Sequence, residues 1–295
     1  MATAKAVKLP SLLYGTAWKK DHTKELVKQA LLSGFRAVDT AAQPKHYQEH
    51  LVGAGIRAAL QEGQFKREDL YIQTKFTSIN GQDLKAGVPY DPQDSIADQV
   101  NSSVASSLLN LRHTEHDSGE KPYVDCLVLH SPFPTTSQTF EAWQAMETHI
   151  PEHVRTLGIS NCYDLKLLQA LYDSADVKPS ILQNRFYRDT GYDRSLRTYC
   201  QSKGIVYQSF WTLTANPHLL KSEPVAILRH QANLSREVAL YSLVLGLGNV
   251  QVLCGTTNAA RMQEDLAGVA EVQTWKTQHE AQWQDIMIAF DRLLR

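Results

Sequence analysis

Short apolar runs alternate along this chain with longer stretches whose apolar residues recur every three or four positions. The short runs read as strands at 12–16, 36–40, 70–75, 124–130, 154–160, 180–186, 205–211 and 250–255. The longer stretches read as helices. Thr23 to Gly34 carries Leu26, Val27, Ala30 and Leu31 on one face, with Gly34 as its stop. Residues 50–62 follow the second strand. Residues 92–111 follow the third, with Ile96, Val100, Val104 and Leu108 spaced by four. Further helical patterns cover 140–150, 165–175, 192–203, 235–247 and 258–270. A tail over 277–295, apolar at Ile286, Ile288, Phe290 and Leu293, predicts one more helix.

Eight strands, each followed by a helix, imply parallel strands joined by crossover helices. Eight such units close into a (β/α)₈ TIM barrel, and a chain of 295 residues fits one barrel domain with a C-terminal helical tail. An open doubly wound sheet is the alternative. It calls for a Gly-rich turn after an early strand, and neither GxGxxG nor GxxxxGK[ST] occurs here.

Charge narrows the partners. Thirty basic and 31 acidic residues nearly cancel, so nothing favours nucleic acid or an anionic membrane. No run is apolar enough to span a bilayer, and MATAKAVKLP lacks the apolar core of a leader, which points to the cytoplasm. Cys126, Cys162, Cys200 and Cys254 match no zinc spacing and read as small core residues, so no metal is expected.

The barrel converts position into geometry, because its chemistry sits at the C-terminal ends of the strands. Asp39 ends the second strand, Lys75 the third and His130 the fourth. Tyr47 stands in the loop after Asp39. All four therefore aim at one volume. A free phenol, with a pKa near ~10, is a poor proton donor at neutral pH, and a neighbouring ammonium lowers that value. Lys75 supplies the charge, Asp39 holds Lys75, and His130 donates a hydrogen bond to the oxygen that gains the proton. Side chains supply no hydride, so reduction of a carbonyl implies a nicotinamide cofactor.

At these residues the chain resembles the aldo-keto reductases, from about Leu12 to Ala270. The carrying motifs are GFRAVDTA at 34–41, YQEHLVGAGI from Tyr47, YIQTK ending at Lys75, DCLVLHSP around His130 and LGISN ending at Asn161. The resemblance implies an Asp39, Tyr47, Lys75 and His130 tetrad and hydride transfer from NADPH, with NADH as the weaker cofactor. It implies cofactor contacts at Gly15, Thr16 and Ala17, at Asp39, and at Ser160, Asn161 and Gln183 around the carboxamide. Phe210 takes the place of the ring-stacking aromatic, and Trp211, Leu213 and Thr214 lead toward the pyrophosphate. Gly255, Thr256, Thr257, Asn258, Arg261, Glu264 and Asp265 surround the adenosine end. Trp18, Thr77, Ser131 and Phe133, with Trp211, are expected to line an apolar pocket for a small carbonyl substrate.

The chain departs from the family pattern at several points, and its long loop from Ser78 to Pro92 resembles that of a fungal subset. Pro44-Lys45-His46 lengthens the loop between Asp39 and Tyr47, placing His46 beside the phenol. Gly255 replaces the usual lysine of the eighth strand's phosphate site. Ser131 stands where an aromatic residue is common, the N-terminal hairpin is short or absent, and the loop from Ser78 to Pro92 is long. Two other functions share these residues: a metal-free barrel isomerase or lyase, and a cofactor-binding subunit with little turnover.

Overall fold

In a computed structural model, residues 9–114 and 121–295 are described. The segment in which a short or missing hairpin is expected lies mostly outside the described residues. β1 (Leu12–Gly15), β2 (Ala37–Asp39), β3 (Tyr71–Phe76), β4 (Val124–Leu129), β5 (Val154–Ser160), β6 (Ile181–Arg185), β7 (Val206–Phe210) and β8 (Val250–Cys254) form a closed parallel barrel in chain order. β8 returns to pair with β1 through Leu12 opposite Val252 and Tyr14 opposite Cys254. The open doubly wound alternative is thereby excluded.

Helices α1 (Thr23–Leu32), α2 (Glu49–Glu62), α3 (Ile96–Asn110), α4 (Thr136–Glu147), α5 (Leu165–Ser174) and α6 (Arg194–Lys203) follow the first six strands. α7 (Pro217–Leu220), α8 (Glu223–Gln231) and α9 (Arg236–Leu245) follow β7, and α10 (Ala259–Gln278) and α11 (Glu280–Leu293) follow β8. Several starts differ from the apolar pattern, because caps and backbone conformation set them. Ser95 Oγ accepts from Asp98 N at 3.2 Å, so α3 begins four residues after Pro92. Thr135 Oγ1 accepts from Gln138 N at 3.3 Å, so α4 begins before its first apolar residue, Phe140. Left-handed Gly191, Tyr192 and Asp193 delay α6 to Arg194. α10 continues well past Ala270, to a break at His279. Gly34 does end α1 as its spacing predicts, with a φ of +115° that L-residues rarely adopt.

The main core lies between barrel and helices, with Leu12, Tyr14, Val38, Ile72, Phe76 and Leu129 facing out of the barrel into it. Side chains alternate along each strand, so the other set fills the lumen. Leu13, Ala37, Tyr71, Cys126, Val128 and Ile181 form an apolar plug there. One step nearer the C-terminal ends the lumen turns polar, with Asp39, Gln73, Lys75, Gln183 and Gln208 all buried. All four cysteines are buried and free. No helix among the described residues is long and apolar enough to cross a membrane.

Candidate active site

β2 and β3 pair with Asp39 opposite Gln73, which sets Asp39 and Lys75 side by side in the lumen. Lys75 Nζ donates to Asp39 Oδ1 at 2.8 Å, to Asp39 Oδ2 at 2.7 Å and to Thr40 O at 2.8 Å. Asp39 Oδ1 also accepts from Gln73 Nε2 at 2.7 Å and Gln183 Nε2 at 2.9 Å. Gln208 joins both of these glutamines and reaches Gln251, whose amide donates to Pro10 O. An amide column therefore runs from the ion pair to the far end of the barrel. Burial alone would lower the Lys75 ammonium, but the Asp39 charge and hydrogen bonds outweigh it and the net direction is up. The lysine is a fixed cation.

Tyr47 lies over that cation, its ring centroid 5.2 Å from Lys75 Nζ and 6.1 Å from the His130 ring. The loop insertion does not displace it. Gln43 O accepts from both His46 N and Tyr47 N at 3.0 Å, closing the extra residues into a turn. Gln43 Nε2 donates to Gly81 O at 2.6 Å, and Trp18 N donates to His46 O at 2.8 Å. The Trp18 indole lies against the His46 ring, tilted by 37° with centroids 3.8 Å apart. Two residues beyond Tyr47, buried Glu49 accepts from Thr74 and Ser107 hydroxyls and from Asn110 Nδ2, pinning the start of α2 to β3 and α3. The phenol's pKa departs from expectation. Burial raises it, and although Lys75 pulls it down, burial and the Asp39 charge win, so Tyr47 stays protonated.

His130 follows the last residue of β4. Its Nδ1 is 2.6 Å from Thr77 Oγ1. Burial, then the Lys75 charge and then His46, push the imidazole down to about 3. It is therefore neutral, and in the tautomer in which Thr77 donates to Nδ1 its Nε2 carries the proton as a hydrogen-bond donor.

A cleft of about 750 Å³ opens at the strand ends and contains Asp39, Tyr47 and His130 on its walls. Its other walls include Gly15, Ala17, Ser160, Asn161, Gln183, Phe210, Trp211, Leu213, Thr214, Gly255, Thr256, Arg261 and Asp265. These stand where the resemblance puts a dinucleotide, and their donor sets suit one. Both Gln183 amide donors are spent on Asp39 and Gln208. Asn161 Nδ2 donates to His130 O at 2.9 Å. The Gln183 carbonyl oxygen, and the second lone pair of Asn161 Oδ1, which already accepts from the Tyr163 hydroxyl at 3.5 Å, are thus the groups left to accept from a carboxamide. Asn258 Oδ1 accepts from Arg261 N at 3.1 Å and caps α10, whose first N–H groups suit a phosphate. Lys19 Nζ donates to Gly255 O, and a Cβ on Gly255 would lie 3.8 Å from that ammonium. A lysine from the loop after β1 thus stands against the position where the family's β8 lysine is missing. Burial lowers its pKa, and it forms no ion pair among the described residues.

Four of the expected cofactor residues do not line the cleft. Thr16 is fully buried and gives its hydroxyl to Asp39 O at 2.9 Å, which makes it support for the ion pair. Thr257 faces a shallow outer groove against α1, Asn258 is occupied as the cap, and Glu264 is exposed on α10. Among the expected substrate residues Trp18, Thr77, Ser131 and Trp211 line the cleft, while Phe133 does not. It turns inward and stacks on Phe76 at 6.4 Å, because the residues after β4 feed the core under α4. Trp18, Asn161 and Trp211, all at strand-end loops of the cleft, have φ of 64°, 51° and 57°, uncommon for such residues. The sequence reading missed Lys19, Glu49, the glutamines of the lumen other than Gln183, and Arg185, which also lines the cleft. For Arg185 a signal was present: two residues past Gln183 on one strand, it faces the same way.

The sequence profile of the Aldo/keto reductase family matches residues 11–286. An uncharacterized oxidoreductase of Saccharomyces cerevisiae is 30% identical over 226 residues, 72% of this chain and 71% of that protein. Another, of Bacillus subtilis, is 29% identical over 71% of this chain, a match spanning 65% of its own length, slightly under two thirds. The NAD(P)H-dependent D-xylose reductase of Scheffersomyces stipitis is 26% identical over 68% of this chain and 64% of its own. The solved Bombyx mori aldo-keto reductase in complex with NADP shares the fold at a TM-score of 0.70 and 21% identity, covering 90% of this chain and 89% of that one. With a closed parallel barrel and a profile match over nearly its full length, this chain belongs to the Aldo/keto reductase family.

Proposed function

We propose that this protein reduces aldehydes or ketones to alcohols with NADPH, Tyr47 acting as the general acid. The observation that carries this reading is the buried Lys75–Asp39 pair directly beneath the Tyr47 ring and beside a neutral His130, all at one cleft. When bound, the reduced nicotinamide supplies the hydride that the carbonyl carbon accepts. The Tyr47 hydroxyl gives its proton to the carbonyl oxygen as negative charge develops there. Lys75 stabilises the phenolate left behind, and Asp39 keeps Lys75 charged and in place. His130 donates to the same oxygen, an interaction that strengthens as the charge grows. The carboxamide would be held by Asn161 and Gln183, and Phe210 offers a face for the ring.

Arg261, Lys19 and the start of α10 favour a phosphate on the adenosine ribose, and hence NADPH over NADH. NADPH oxidation measured against a panel of aldehydes and ketones tests the proposal, with aromatic and medium-chain aldehydes expected to exceed free sugars in kcat/KM. Tight NADPH binding with no turnover on any carbonyl would favour a binding subunit instead.

A further inference from the structure

Arg185 is the last residue of β6, and its strand partners set its direction. Gln183, two residues earlier, reaches Asp39 in the lumen, so Arg185 faces the same way one step nearer the mouth. Its guanidinium carbon lies 3.9 Å from the Trp211 ring centroid, 5.1 Å from that of Tyr187 and 5.9 Å from that of Phe210. It shares the cleft with Tyr47 and His130. Among the described residues it makes no ion pair, and none of its side-chain N–H donors meets a protein acceptor. Nε is buried without a partner.

An arginine carries its charge at every working pH and presents its donors as a flat fork. Here the guanidinium carbon lies over the Trp211 ring, and its N–H donors remain for an anion in the cleft. The carboxylates of the same cleft do not serve it. Asp39 is bound to Lys75, Asp265 accepts from the Cys254 thiol at 3.2 Å, and Glu237, on α9, forms no ion pair with it among the described residues. Resting on the reductase reading above, we propose that Arg185 clamps an anionic substrate group, and that this site prefers carbonyl compounds bearing a carboxylate at a distance from the reacting carbon. Trp211, half exposed and held at a φ of 57°, forms the apolar platform against which such a substrate would lie.

Two aldehydes of similar size, 4-carboxybenzaldehyde and 4-methylbenzaldehyde, test this with saturating NADPH. In the unaltered enzyme kcat/KM is expected to be higher for the carboxylate. In Arg185→Met the ratio of the two values should fall by about 10- to 150-fold, the range for one charge-assisted contact. Arg185→Lys should recover part of it. Turnover of the methyl compound by Arg185→Met shows that the variant is folded. An unchanged ratio, or a preference of the unaltered enzyme for the methyl compound, overturns the assignment. So does a fluorescence titration in which Arg185→Met loses NADPH affinity by the same factor, since the arginine would then hold a cofactor phosphate. An unaltered protein that binds NADPH but oxidises it with neither aldehyde, nor with any other carbonyl, overturns the reductase reading and this proposal with it.

Discussion

Replacing Lys75 by Met separates what the ion pair does for the fold from what it does for the phenol. The substitution removes the ammonium and its three contacts, to both Asp39 oxygens and Thr40 O. Asp39 Oδ1 keeps the amides of Gln73 and Gln183, but the carboxylate is only 2% exposed and has lost its counter-charge. Breaking a buried pair on one side costs about 3–5 kcal/mol, a large share of the stability of a typical domain. At about 2 °C per kcal/mol for a chain this long, Tm should fall by roughly 6–10 °C. Asp39→Asn in the same background should return most of that loss. The amide is neutral, its oxygen keeps the glutamine donors, and its nitrogen can donate to the orphaned Thr40 O. Turnover should not return with it, because the phenolate would still lack a cation. Both single variants and the double variant are compared by calorimetry and by NADPH oxidation. Lys75→Met at the unaltered Tm, or a double variant no more stable than Lys75→Met, would refute the account of the pair. Activity recovered in the double variant would refute the role given to Lys75.

Tyr47→Phe should leave NADPH affinity nearly intact and lower turnover about 100-fold or more, as loss of a general acid does; His46→Ala should not, and the reverse pattern would make the inserted histidine the acid. Because His130 is held neutral down to about pH 3, kcat with both substrates saturating should show no inflection near the ordinary histidine value of about 6.5. The Tyr47 pKa lies above the usual phenol value, so its proton-donating form persists and carbonyl reduction should decline only above about pH 10. Arg261→Ala should weaken NADPH by about 10- to 150-fold and NADH hardly at all. Lys19→Met should act in the same direction, and equal losses for both cofactors would mean that these cations hold the loop or the diphosphate.

Periodicity and strand-end position were enough to read the barrel from the residues. The alternation of short and long apolar runs determined eight βα units, and position along the strands determined that Asp39, Lys75 and His130 lie at or next to neighbouring strand ends. Caps were less legible, since Thr135 and Ser95 start helices without any apolar mark. What the sequence could not convey is which face of each strand is the lumen, because a barrel strand is covered on both sides and its alternation is blurred. Gln73 and Gln208 therefore look like ordinary polar breaks until β2–β3 pairing brings Gln73 to Asp39, 34 residues away, and closure of the sheet brings Gln208 to Gln73 across 135. Lys19 and Gly255 are 236 residues apart and meet only because β8 pairs with β1. The direction of the Tyr47 shift likewise belongs to the tertiary structure. A neighbouring lysine was readable and argued for a lowered value, but burial is a property of the closed site, and at this phenol desolvation is the larger effect.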